Sequence, residues 1–190
     1  IPELRLYLHT NVHDRGDFDL HLLKARFDPK DEFVSFPDKY VSMNEAYSEE
    51  DFQKELSCSD VFISAAGNAP TGMAAFDAIA CGCAPLLSDV GSHKNIAEDL
   101  AKISPKFKRN DFLVPCIEVM TRGEVYTNVC EPEPFQERIL SLHEKIKKGG
   151  HRIFFQEFVD SCDRRNFLSR ISEMVEAVER SNPTLCVETV

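Results

Sequence analysis

Residues 59–98 read SDVFISAAGNAPTGMAAFDAIACGCAPLLSDVGSHKNIAE, and this stretch decides the fold. Val61–Ser64 is a short apolar run, the pattern of a strand buried in a parallel sheet. Small, turn-forming residues follow from Ala65 to Thr71. Thr71 is placed to cap a helix whose apolar residues Met73, Phe76, Ile79 and Ala80 recur at helical spacing. Cys81-Gly82 ends that helix, with Gly82 suited to the left-handed position past its end. Ala84–Leu87 is a second buried strand, and Asp89-Val90-Gly91-Ser92 turns the chain into another helix, within which His93 is expected to stand exposed. Strand, helix and strand in this order form a βαβ unit. Its carboxyl edge presents backbone N–H groups and a helix N-terminus, where anionic ligands bind.

Outward from this unit the alternation continues. Further strands are expected at Leu4–Thr10, Glu32–Phe36 and Phe112–Pro115, and helices at Phe18–Phe27, Ser48–Cys58 and His93–Ala101. Ser48-Glu49-Glu50-Asp51 is a strong helix start, with a hydroxyl cap and acids in the first turn. Strands alternating with helices imply an α/β fold: one parallel, doubly wound sheet with right-handed crossovers. Val125–Val129 reads as a short extra strand after a turn at Arg122-Gly123-Glu124. Beyond it the chain is helical, at Phe135–Lys147, His151–Cys162 and Asn166–Arg180. The expected organisation is a Rossmann-like domain over residues 1–134, helices over 135–181 packed on the same domain, and a flexible tail over 182–190.

Composition narrows the function. The 190 residues suffice for one good core, and 43% apolar with 28% charged residues is ordinary for a globular protein. A net charge of −10 disfavours nucleic acid and anionic membranes as partners. The short basic runs Lys145–Lys148 and Arg164-Arg165 read as solvated helix faces. No apolar run is long enough to span a bilayer. The 7 cysteines have no zinc-site spacing and scatter through apolar segments, which fits buried free thiols in a reducing, cytoplasmic setting. His9 and His13 are held by a strand and a loop and do not share a helix face, so no metal site is expected. No Gly-x-Gly-x-x-Gly follows a strand, and Gly67 and Gly72 have the wrong spacing for one, which disfavours a dinucleotide oxidoreductase.

The central block resembles the nucleotide-sugar-binding half of retaining GT-B glycosyltransferases of family 4. Ser59-Asp60-Val61-Phe62-Ile63-Ser64 matches the start of that family's signature, and Gly72-Met73 falls on its second Gly-Leu. Asp77-Ala78-Ile79-Ala80-Cys81-Gly82 stands where the family has Glu-Ala-Met-Ala-Cys-Gly, and Pro85 and Ser88-Asp89-Val90-Gly91 match the next strand and loop. Upstream, Leu6-Tyr7-Leu8-His9-Thr10-Asn11 and Phe18-Asp19-Leu20 are similar to a variant of the family's first strand; the likeness covers roughly residues 4–139. The family carries a pair of glutamates here, the first near the donor sugar and the second on the ribose. Laying the second on Asp77 lays the first on Ala69, and the Gly-Phe after it on Pro70-Thr71, so the first acid is absent and the second is one methylene shorter.

The resemblance implies a Rossmann-like donor domain, one half of a GT-B architecture, that binds a nucleoside-diphosphate sugar of the UDP or GDP type and needs no metal or other cofactor. It implies phosphate contacts at Gly67, Thr71, Gly72 and Met73, a ribose contact at Asp77, and Ser64 beside the loop. His9 ends the first strand at the same edge, and Tyr40 follows the second strand, where the family receives the base. No residue is singled out as catalytic. The family's diphosphate-neutralising Arg and Lys, and its acceptor-binding N-terminal domain, precede the matched region, so this chain on its own is expected to be inactive. Two alternatives stand beside the enzyme: a degenerate glycosyltransferase-like binding or scaffold module, motivated by Ala69 and Pro70, and a generic nucleotide-binding Rossmann-like domain.

Overall fold

The computed structural model describes residues 4–10, 19–37, 48–69, 71–103, 106–120, 126–149, 151–162 and 172–173. The chain divides into two units, Ile1–Phe52 and Gln53–Val190. The expected Tyr40, the turn at Arg122-Gly123-Glu124, the run Arg164-Arg165 and nearly all of the last expected helix lie outside the described residues.

In the first unit, β1 (Leu6–Tyr7) pairs in parallel with β2 (Val34–Ser35), and α1 (Leu20–Phe27) connects them. Asp19 caps α1 through its carboxylate, which accepts from the Leu22 N–H at 2.9 Å. The turn into β2 is organised by Asp28, a buried acid whose carboxylate accepts the N–H groups of Glu32, Phe33 and Val34 at 2.9, 2.8 and 2.7 Å. Burial by itself raises the Asp28 carboxyl; the three N–H groups and nearby Lys24 outweigh it and hold the group below its ordinary value. Ser48 starts α2 (Glu49–Ser57) as its sequence predicts, accepting from the Asp51 N–H at 3.1 Å and donating to the Asp51 carboxylate at 2.7 Å.

The second unit is built on a parallel sheet of order β3-β4-β5: Val61–Ser64, Ala84–Ser88 and Leu113–Val114. Val61 pairs with Ala84 and Ser64 with Leu87, so the two decisive strands run parallel, as their apolar runs require. Every residue of the central strand β4 is buried. Helix α3 (Met73–Ala80) joins β3 to β4, and α4 (Gly91–Ile103) with the short α5 (Arg109–Phe112) joins β4 to β5. After β5 the chain makes an antiparallel hairpin of β6 (Cys116–Met120) and β7 (Tyr126–Cys130). The C-terminal helices α6 (Pro132–Lys147) and α7 (His151–Ser161) pack back on β4. Their Leu142, Phe155 and Phe158 enter the core beside Leu86, Leu100 and Phe112. Phe107, Phe112 and Phe155 form a ring cluster with centroids 5.3–6.3 Å apart, each buried ring contributing about 1.5–3 kcal/mol.

Several expectations are corrected. The described strands form three hydrogen-bonded sheets, β1-β2, β3-β4-β5 and β6-β7, where a single sheet was expected. The hairpin strand β6 went unrecognised, because Cys116–Met120 is half exposed and carries no continuous apolar run. In α3 the buried residues are Ala75, Ala78 and Ile79, while Met73 is 61% exposed and Ala80 faces out, one position off the expected stripe. Lys145 is not a solvated residue: it forms an ion pair with the buried carboxylate of Asp111, which also caps α5 by accepting the Lys108 N–H at 2.6 Å. Cys58 and Cys162 are exposed, so the thiols are not uniformly buried. No helix among the described residues is long and apolar enough to cross a membrane.

Candidate functional site

The carboxyl edge of β3 and β4 holds most of the residues singled out from sequence. Ser64 ends β3, half-buried, opposite Leu87. The loop that follows is held from two sides. Gly67 lies against β7: the Asn128 amide donates to the Gly67 carbonyl at 3.1 Å. A Cβ at Gly67 would collide with the Thr127 hydroxyl and come within 2.7 Å of the Asn128 carbonyl. Glycine is therefore required here by close approach of the hairpin, whatever ligand the loop meets.

Ala69 is 5% exposed, and its carbonyl accepts both the N–H and the hydroxyl of Ser92, at 2.9 and 2.8 Å. Gly91 (φ +46°) sits so close that a Cβ there would strike the Ala69 carbonyl. The first turn of α4 thus closes over Ala69. An acid at this position, where the resembled family has its first glutamate, would start from a nearly buried point of the loop.

Beneath the loop lies a polar pair that sequence reading missed. His93 is 3% exposed, not an exposed helix-start residue. Its Nδ1 lies 3.1 Å from the Ser88 hydroxyl and 3.2 Å from the Ser88 carbonyl. The Ser88 hydroxyl donates to the Ala66 carbonyl at 2.6 Å, so its oxygen accepts from His93 Nδ1–H. That arrangement fixes the neutral tautomer with the proton on Nδ1. Burial pushes the imidazole below its ordinary value of 6.5, against the opposing hydrogen bond to the Ser88 carbonyl. The signal was present in the sequence as a serine ending a fully apolar strand and a histidine in the next helix's first turn; nothing local says that the histidine faces inward.

The other half of the loop is open. Gly72, not Thr71, occupies the N-cap of α3, in the left-handed conformation (φ 65°, ψ 21°), and no side chain caps the helix. Glycine is favoured there twice over, since a Cβ would lie 2.7 Å from Ile96 Cδ1 and 2.9 Å from the Ser92 hydroxyl. Thr71, Met73 and Asp77 are all exposed along this start of α3. The far end closes as expected, in a Schellman motif: Gly82 (φ 88°) donates to Ile79 at 2.9 Å and Cys83 to Ala78 at 2.9 Å. Arg152 of α7 donates from there to the carbonyls of Ser57, Ser59 and Cys81, at 3.3–3.4 Å.

The structure therefore brings Ser64, Gly67, Thr71, Gly72, Met73 and Asp77 into one loop-and-helix segment. His9 belongs to the other unit, just past β1, with its ring 5.2 Å from that of Phe52. Arg109, the cation next to the β4–α4 turn, is engaged with Asp89 at 3.1 Å and Glu98 at 3.7 Å. Among the described residues no group of histidine, cysteine, aspartate and glutamate is arranged to hold a metal ion. Comparison with protein families, with curated proteins and with solved structures gives no match.

Proposed function

We propose that this chain is the Rossmann-like, donor-binding half of a retaining GT-B glycosyltransferase and takes a nucleoside-diphosphate sugar at the carboxyl edge of β3 and β4. The observation that supports this reading best is the parallel β3–α3–β4 unit with an uncapped α3, its first turns left exposed at Thr71, Met73 and Asp77. Unpaired N–H groups and the helix dipole favour a phosphate before Gly72. Asp77, one turn further along, is suited to accept hydrogen bonds from ribose hydroxyls. The whole protein, on this reading, moves the sugar from a UDP- or GDP-type donor to an acceptor with retention of configuration, in the cytoplasm and without a metal.

A second reading has its own observation. Ala69 is buried under α4 and offers no acid toward a sugar. A module that binds a nucleotide, or a partner protein, without transferring sugar needs no acid there.

Titration of the labelled chain with UDP, GDP and a panel of nucleotide sugars tests both. The first reading expects weak binding, about 0.1–1 mM, because an exposed site with few charged contacts gains only a few kcal/mol. Backbone shifts should centre on Ser64 and on Thr71 to Asp77. Shifts centred elsewhere, or none with any nucleotide, overturn it. Binding at this segment with no sugar transfer from any donor by the full-length protein favours the second reading.

A further inference from the structure

Cys116 and Cys130 stand directly opposite each other across the β6–β7 hairpin, at the end where the chain leaves β5 and enters α6. Opposed residues of antiparallel strands have Cα atoms about 4.5–5.5 Å apart, inside the range a disulfide spans. Their sulfurs lie 3.2 Å apart, and the Cys116 thiol also reaches the Val114 carbonyl at 3.4 Å. Both residues are half-buried. Cys83, by contrast, is fully buried and donates to the Leu56 carbonyl at 3.0 Å. Cys58 and Cys162 are exposed.

We infer that Cys116 and Cys130 form a reversible dithiol–disulfide pair, a redox modification site that cross-links the base of the hairpin. The oxidant is a low-molecular-weight disulfide of the glutathione type. The Cys116 sulfur, as thiolate, attacks one sulfur of that disulfide, forming a mixed disulfide and releasing one small thiolate. Cys130 then gives up its proton to that thiolate, and its sulfur attacks Cys116 Sγ, expelling the second small thiolate, which takes up a proton from solvent. The two protein thiols lose two electrons in total, and the small disulfide becomes two thiols. Burial first, and the Cys116 sulfur beside it second, push the Cys130 thiol up to about 12. This upward direction suits Cys130 to the resolving step. Once Cys116 is capped, the part of that rise due to its neighbour is gone.

The consequence reaches the loop. β7 carries Thr127 and Asn128, the residues that hold Gly67. Linking β7 to β6 at Cys130 closes residues 116–130 into a ring and restrains the strand on which the loop after β3 leans. This holds whether or not the loop binds a nucleotide.

The full chain equilibrated in glutathione buffers from reducing to oxidising, then alkylated and digested with trypsin, gives the test. Arg122 lies between the two cysteines, so a Cys116–Cys130 disulfide joins two separate peptides. The linked pair should appear in oxidising buffer and vanish with dithiothreitol, and neither Cys116→Ser nor Cys130→Ser should yield it. Hydrogen exchange at residues 126–130 should slow by about tenfold or more on oxidation, as a cross-link restricts local opening. Complete alkylation of both thiols in the oxidising buffer, or linkage of either one to a different cysteine, overturns the proposal. The wild-type mapping decides the point even if a variant fails to fold.

Discussion

The segment after β3 divides into a clamped half and an open half. From Ala65 to Ala69 the backbone is gripped by β7 on one side and by α4 on the other, over a buried serine–histidine pair. Beyond it Thr71, Met73, Ala74 and Asp77 are exposed, and no side chain caps the helix start. A loop held on one side and open on the other is positioned at little entropic cost when a ligand arrives. Ala69 lies where α4 closes over the loop, so a small side chain suits this nearly buried position.

The sharpest way to break this contrast is Ala69→Glu. Forcing an unpaired carboxylate under α4 should cost about 3 kcal/mol or more in denaturant unfolding. A fold unharmed by Ala69→Glu would show that the loop is free to reopen. Gly91→Ala comes next, at about 2 kcal/mol, because its left-handed φ of +46° and the Ala69 carbonyl both oppose a Cβ.

A pH experiment probes the same half. The folded-state His93 titrates below its ordinary value, so the unfolded chain binds more protons just under pH 6.5. The stability this neutral histidine contributes is present above that value and is lost as pH falls through it toward the folded-state value. His93→Asn, which retains a donor near Ser88, should flatten that part of the pH profile relative to wild type; parallel profiles would place the proton-linked loss elsewhere. The smallest stability effect belongs to the open half. Asp77→Asn should change unfolding by less than about 0.5 kcal/mol, while weakening nucleotide binding by about 1–2 kcal/mol through loss of a charged hydrogen bond. A large stability loss with unchanged binding would reverse the assignment of the two halves.

Local pattern determined a good deal. The apolar runs of β3 and β4, the cap at Ser48, the glycine stop at Gly82 and the helical periods of α6 and α7 are short-range properties, governed by backbone sterics, capping and burial of one face. Those signals sufficed for an α/β chain with β3 and β4 parallel. The start of α3 was harder: Thr71 has the right chemistry for a cap, yet Gly72 takes the position in a left-handed conformation that favours glycine, close to Ile96 and Ser92.

What only tertiary structure decided are the contacts between segments distant in sequence. Asn128 meets Gly67, Lys145 meets Asp111, Arg152 reaches the carbonyls beside β3, and Cys116 faces Cys130. His93 is buried for the same reason: the wall it turns toward is made by a strand end and a loop, not by its own helix. The sequence by itself determined the β3–α3–β4 frame, because period and turn chemistry act over a few residues. Which side of its loop is closed and which is open was set by packing of remote elements, whose partners no local pattern names.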